Sequence, residues 1–397
     1  MKLLALMRGR TSWLIITIST LAIVFSCVRP AIAQRPPSTF ADFDEEAARE
    51  VVQLTEAAYC TAEQVGWNCT VCRAFPGMRN VSVIQEKSRN VRGFVGVDVG
   101  GGSSSSGGTS AISKTSTSAM RPWPHLRLIH ERNTPDEPAM EVEPAVARSR
   151  RRSKPRIVVT FAGTDPKSMK NWIDDLEAAP IAHPYDGGGC EDCKVHRGFL
   201  ATFEVVRDQV RDSVLRHLRH NPDAEILITG HSLGGALATL CFLDLHLALG
   251  LGAGPDAVPF APLYIFGAPR VGNEAFANYS ASHGVPIFRV VHNRDPVPHV
   301  PFEAWGYHHP PTEIFFNANQ TSYVVCDDSG EDSACSDQFW VIFGALHIKD
   351  HLSYLEADYT KAYMHCIASE DGEDAEDQAA LVQPAILVAP TATAIDD

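Results

Sequence analysis

The 397 residues can form one large domain or two ordinary ones, and with 45% of them hydrophobic they can bury a sizeable core. A net charge of −14 with histidine neutral argues against nucleic acid as a partner, because phosphates repel such a surface. After the N-terminus no stretch is long and apolar enough to span a bilayer, so no stable membrane span is expected.

The chain opens on a positive segment (Lys2, Arg8, Arg10), then the apolar run WLIITISTLAIVF at 13–25, then Ala31-Ile32-Ala33. That order predicts a secretory signal peptide over residues 1–33, and hence a secreted, extracellular protein. The competing reading is a retained anchor, but the run falls short of the ~20 residues a span needs. Removing 1–33 takes away Lys2, Arg8, Arg10 and Arg29 and no acid, moving the charge from −14 to −18.

Next, Ala47, Val51, Leu54 and Ala58 form one apolar stripe, predicting a helix over 42–58. VRGFVGVDV (91–99) reads as a strand. Residues 100–155 begin GGGSSSSGGTS and end near RSRRRSK; without apolar periodicity they are expected to be a low-complexity, disordered insertion in a surface hairpin. Arg148–Arg152 is a candidate processing site or a solvated charge run. Ordered patterning resumes with a strand at 156–163, a helical segment around 168–178 and an amphipathic helix at 203–218. A buried strand at 225–230 and a helix apolar nearly all round at 233–249 follow, then strands at 262–269 and 287–293. Strands alternating with helices predict an α/β fold, with a mostly parallel central sheet flanked by helices. Residues 34–99 and 156–366 are expected to form this domain, and the acidic, aperiodic 367–397 a disordered tail.

Of ten cysteines, Cys27 lies in the expected signal. In an oxidising compartment most of the other nine should pair. Cys241, in a predicted buried helix, is the natural odd one out. Metal binding by the two C-x-x-C pairs is disfavoured by secretion and by the lack of paired histidines at zinc spacing. Four sequons, at Asn68, Asn80, Asn278 and Asn319, are compatible with glycosylation.

Gly230-His231-Ser232-Leu233-Gly234 is a G-x-S-x-G motif between a buried strand and a helix. A serine on so tight a turn is strained, points out over the sheet edge, and sits at a helix N-terminus that favours negative charge. Its hydroxyl needs a base, and the base an orienting carboxylate. In this fold class the acid and then the base follow the serine in the chain. Asp295, just past the strand at 287–293, is the better-placed acid; Glu303 lies farther off. Spacing alone does not choose the base among His299, His308, His309, His347, His351 and His365.

The chain resembles the class 3 lipases, the fungal-type triacylglycerol lipases of the α/β-hydrolase superfamily. The resemblance rests on FAGTDPKSMKNW (161–172), VHRGFLATF (195–203), ITGHSLGGALATL (228–240), FGAPRVGNEAF (266–276), FRVVHNRDPVPHVP (288–301) and DHLSYL (350–355). It implies a catalytic set of Ser232, Asp295 and His351, with the oxyanion held by Leu233 and by Thr164. It also implies a lid over 168–176: Met169, Trp172, Ile173 and Leu176 share one apolar side. The same resemblance suggests the disulfides Cys60–Cys366, Cys69–Cys72 and Cys190–Cys193; Cys326–Cys335 would then be an extra bridge, leaving Cys241 free. The expected activity is cleavage of acylglycerol esters at a lipid–water interface, with no cofactor and no metal. The alternatives are a phospholipase A1, a feruloyl-type carboxylesterase and, in a different class, an inactive lipase-like binding protein.

Overall fold

The computed structural model describes residues 42–60, 66–100, 154–177, 183–185, 189–249, 258–339 and 347–366. The expected signal peptide, residues 101–153 of the expected insertion and the expected tail 367–397 lie outside the described residues. The described ones belong to one compact unit, 40–397.

Eight strands make one sheet whose spatial order follows the chain: β1 (Met78–Glu86), β2 (Val91–Asp98), β3 (Arg156–Phe161), β4 (Glu225–His231), β5 (Leu263–Phe266), β6 (Ile287–His292), β7 (Glu313–Phe316) and β8 (Tyr323–Val325). Strands β3 to β7 run parallel. The pairs β1–β2, β2–β3 and β7–β8 are antiparallel. All residues of β3, β5 and β6 are buried, which is why these segments read as predominantly apolar rather than alternating.

The helices are α1 (Glu45–Ala57), α2 (Met169–Glu177), α3 (Arg197–His220), α4 (Leu233–Ala248), α5 (Glu274–Ala281), α6 (Ile348–His351) and α7 (Tyr359–Cys366). Alternate residues of one strand feed two cores. Ile157, Val159 and Phe161 of β3 join α3 and α4 residues such as Phe203, Val210 and Leu240. Val158, between them, joins Val51 and Leu54 of α1 and Tyr359 of α7 on the opposite face. Burying both faces excludes water from the β3–β6 ladder and makes its C-terminal edge rigid.

The structure departs from the sequence reading at several boundaries. Helix α3 starts at Arg197, not 203, because the His196 side chain caps it, accepting the Phe199 N–H at 3.3 Å; Gly198 and polar neighbours hide that first turn from an apolar count. Strand β1 has no counterpart in the sequence reading: its pairing with β2 shifts between Arg79 and Ser82, which breaks the alternation that marks a strand.

Cysteine sulfurs join Cys60 to Cys366, Cys69 to Cys72, Cys190 to Cys193 and Cys326 to Cys335. Cys241 is free and buried in α4, and burial pushes its thiol far above the usual range. Asn68, Asn80, Asn278 and Asn319 are all exposed. Among the described residues no helix is long and apolar enough to cross a membrane.

Glu56, on α1, carries the fold's clearest pH dependence. Burial pushes its carboxyl up to about 7, and the nearby Asp358 charge adds to the rise, while the Asp358 backbone N–H and Lys361 oppose it. A carboxyl with a raised folded-state pKa holds its proton more tightly when folded, so the associated stability is present at acid pH and is lost as pH rises through about 7. Glu56→Gln should remove on the order of 2 kcal/mol of this dependence and stabilise the protein above neutrality. Melting temperature against pH is the measurement; a variant curve parallel to the wild type would clear Glu56 as the source.

Candidate active site

The parallel ladder brings four strand ends to one edge: Phe161 of β3 lies beside Gly230, His231 beside Phe266, and Phe266 beside Val290 of β6. The loops leaving those ends carry Thr164, Ser232, Gly267 and Asp295. Ser232 sits between β4 and α4 with φ 59° and ψ −127°, a backbone state that non-glycine residues rarely occupy. It is held there by its N–H donating to the Phe266 carbonyl at 2.9 Å and its carbonyl accepting from Gly235 at 2.9 Å. Gly234 lets α4 approach β3: a Cβ on it would lie 2.7 Å from the Phe161 carbonyl carbon and 2.8 Å from the Ala162 oxygen.

Asp295 and His351 meet directly. His351 Nδ1 lies 3.0 and 2.8 Å from the two Asp295 oxygens, and both side chains are fully buried. Two further donors hold the carboxylate: the Val297 N–H, 2.8 Å from Oδ1, and the Tyr354 hydroxyl, which donates to Oδ2. Gly267, at φ 54°, leaves the space they occupy, since a Cβ there would come within 2.7 Å of Asp295 and 2.8 Å of Tyr354.

The third link is open. Ser232 Oγ is fully buried and directed at the Met169 sulfur, 4.0 Å away. His351 Nε2 is buried without a hydrogen-bond partner, and so is Thr164 Oγ1. His351 and Thr164 thus each keep a buried polar atom without a partner. Nucleophile–base bonds often tighten only when substrate arrives. Leu233 is the first residue of α4, so its N–H belongs to the helix N-terminus next to Ser232.

Helix α2 lies over this edge. Met169 and Leu176 are buried, and Trp172 and Ile173 pack partly buried against the same core; the Trp172 ring is 6.4 Å from that of Phe199. Its polar side carries the exposed pair Lys170–Asp174, 2.8 Å apart. The loop before it is pinned from the far side, Asp165 accepting from the Tyr363 hydroxyl at 2.6 Å. Among the described residues the one grouping of potential metal ligands is Glu313, Cys326 and Cys335, and its two sulfurs are bonded to each other.

Three contacting side chains escaped sequence reasoning: Tyr354, Tyr59 and His231. The Tyr59 hydroxyl meets both the Gly163 N–H at 2.9 Å and His231 Nδ1 at 3.0 Å. The available signal was position, since Tyr354 follows His351 by three residues and His231 precedes Ser232, but an isolated tyrosine reads as core.

Residues 158–305 match the family described as Lipase (class 3). The lipase of Rhizomucor miehei is 38% identical over 205 residues, 51% of this chain and 52% of that protein. The secreted mono- and diacylglycerol lipase A of Penicillium cyclopium is 35% identical over 172 residues, 43% of this chain and 52% of that protein. The chain spans about half the length of these curated relatives. The solved Rhizomucor miehei triacylglyceride lipase superposes with a TM-score of 0.57 at 27% identity, covering 80% of this chain and 96% of that one. The sheet order, the strained Ser232 turn and these similarities fit together: the chain has an α/β-hydrolase fold, and its residues 158–305 match the class 3 lipase family.

Proposed function

We propose that this protein is a secreted carboxylic ester hydrolase that cleaves acylglycerols at a lipid–water interface. Ser232 Oγ attacks the ester carbonyl while His351 Nε2 takes its proton and returns it to the leaving alcohol. Asp295 orients the imidazole and stabilises its cation. The Leu233 N–H and Thr164 bind the oxyanion. Water, activated by His351, then releases the acid. Protein groups and water serve each step.

The observation that carries the lipid reading is the Met169 sulfur 4.0 Å from Ser232 Oγ, under a helix whose apolar side faces the site. In water such a lid stays shut, because opening exposes Met169, Trp172, Ile173 and Leu176; at a lipid surface those side chains find an apolar phase and opening becomes favourable. The polar lid of a feruloyl-type esterase lacks that coupling. The Rhizomucor relative is a triacylglyceride lipase and the Penicillium one a secreted mono- and diacylglycerol lipase, so glycerides are the substrates to test first. The signal-like residues 1–33 support secretion.

The test is hydrolysis of p-nitrophenyl esters of graded chain length beside emulsified tri-, di- and monoacylglycerols and phospholipid vesicles. The expected result is a rate that climbs sharply once a glyceride exceeds its solubility limit. Preference for phospholipid would move the assignment to a phospholipase A1. Equal rates on dissolved and emulsified substrate would remove the lid argument.

A further inference from the structure

One buried hydrogen-bond chain links the three loops of the site without using any side chain assigned a chemical role. It runs from the Gly163 N–H to the Tyr59 hydroxyl (2.9 Å), from Tyr59 to His231 Nδ1 (3.0 Å), and from His231 Nε2 to the His351 backbone carbonyl (2.9 Å). Gly163 precedes Thr164, His231 precedes Ser232, and His351 is the proposed base. Tyr59, His231 and His351 are at most 1% exposed.

The directions of these bonds follow from their chemistry. A carbonyl oxygen only accepts, so His231 Nε2 must carry a hydrogen. Burial, with the His351 ring adding to it, pushes the His231 ring well below its usual range, so it stays neutral; Nδ1 is then bare and accepts. The Tyr59 hydroxyl therefore donates to Nδ1, and its oxygen accepts the Gly163 N–H. Burial holds that phenol protonated. The His231 ring is fixed in plane by Tyr359, stacked at 3.6 Å and 11°, and the Tyr359 hydroxyl is within 2.8 Å of Thr55 in α1. Only one arrangement of hydrogens satisfies all three links. Buried networks that are fully satisfied fix geometry, and the loss of one member leaves buried groups unpaired.

We propose that Tyr59 and His231 are positioning residues that hold the oxyanion loop and the base loop in register on Ser232. This rests on the hydrolase reading above. Cutting the chain at Tyr59 frees the Gly163 end from the His351 end without touching any group that meets the ester. The loss should then fall on kcat, because misplacement of reacting groups acts on the chemical step.

The test uses the full chain, a dissolved p-nitrophenyl butyrate solution, and labelling of Ser232 by a fluorophosphonate. Tyr59→Phe, which removes one oxygen, should lower kcat and the labelling rate about tenfold or more with KM within about twofold. His231→Phe should do the same. The double variant should be about as slow as the slower single, since either change opens the same chain. His231→Gln, which keeps an N–H for the His351 carbonyl, should lose less than His231→Phe. Wild-type kcat in Tyr59→Phe, or single losses that multiply in the double, would overturn the proposal. If His231→Phe does not fold, Tyr59→Phe alone decides. A wild type that neither hydrolyses esters nor is labelled at Ser232 would overturn the hydrolase reading and this inference with it; a labelled wild type matched by Tyr59→Phe would overturn this inference alone.

Discussion

Under the proposed mechanism, Ser232→Ala should lower kcat for ester hydrolysis by about six orders of magnitude. The loss is that large because the remaining groups have nothing to act on: His351 has no hydroxyl to deprotonate and no acyl-enzyme can form. Folding should survive, since alanine keeps the Cβ and the backbone bonds from Ser232 to Phe266 and Gly235 do not involve its side chain. The turn itself offers an internal control. At φ 59° and ψ −127° a Cβ is strained, so Ser232→Gly should be inactive yet more stable than Ser232→Ala by about 1 kcal/mol. Activity assays and thermal melts of the two variants separate the hydroxyl's chemistry from the cost of the bend. Retained turnover in Ser232→Ala would end the acyl-enzyme reading.

Asp295→Asn should cost about 10⁴-fold in kcat with the fold intact. The reason lies in which donors the carboxylate serves. The Val297 N–H holds Oδ1 at 2.8 Å, so an asparagine would keep its amide oxygen there and turn its NH₂ toward His351 Nδ1 and the Tyr354 hydroxyl. An NH₂ facing Nδ1 forces the imidazole to carry its hydrogen on Nε2, which then points a donor at Ser232 instead of an acceptor. The base is lost by tautomer rather than by distance. Stopped assays on a p-nitrophenyl ester measure it, and a variant keeping more than about a tenth of wild-type kcat would remove Asp295 from this role.

How far the sequence reveals this site depends on the residue. Ser232 is legible because strand, turn and helix are contiguous, and the motif lies inside one 17-residue stretch, 224–240. Asp295 is legible as the acid beyond a strand end. His351 is not separable by spacing from its rivals. The structure occupies several of them otherwise: His309 Nε2 is 2.8 Å from the Pro298 carbonyl, His308 Nε2 is 2.8 Å from the Ser329 carbonyl, and His299 Nδ1 is 3.3 Å from Asp337. Tyr59 is beyond sequence reasoning because its partners lie 104 and 172 residues away, and nothing local distinguishes it from a packed aromatic. The sheet follows the same rule. Strands buried on both faces announce themselves as mostly apolar runs; β1, with an irregular register, does not.

The Cys60–Cys366 bond joins positions 306 residues apart, so the backbone between them closes through sulfur into a ring. A ring has no ends to lose. One break in the peptide backbone at any point between those cysteines opens the circle but leaves a single covalent molecule, and two breaks are needed to release a piece unless another bridge retains it. The pairing of β2 with β3 runs from Gly93 beside Phe161 to Asp98 beside Arg156, directly across the stretch 101–153. A cleavage in that stretch therefore leaves its two flanks zipped by the sheet and tethered by sulfur, and the strand ends that carry Thr164, Ser232 and Asp295 keep their places. A backbone break between 101 and 153 and the integrity of the site are topologically independent in this chain.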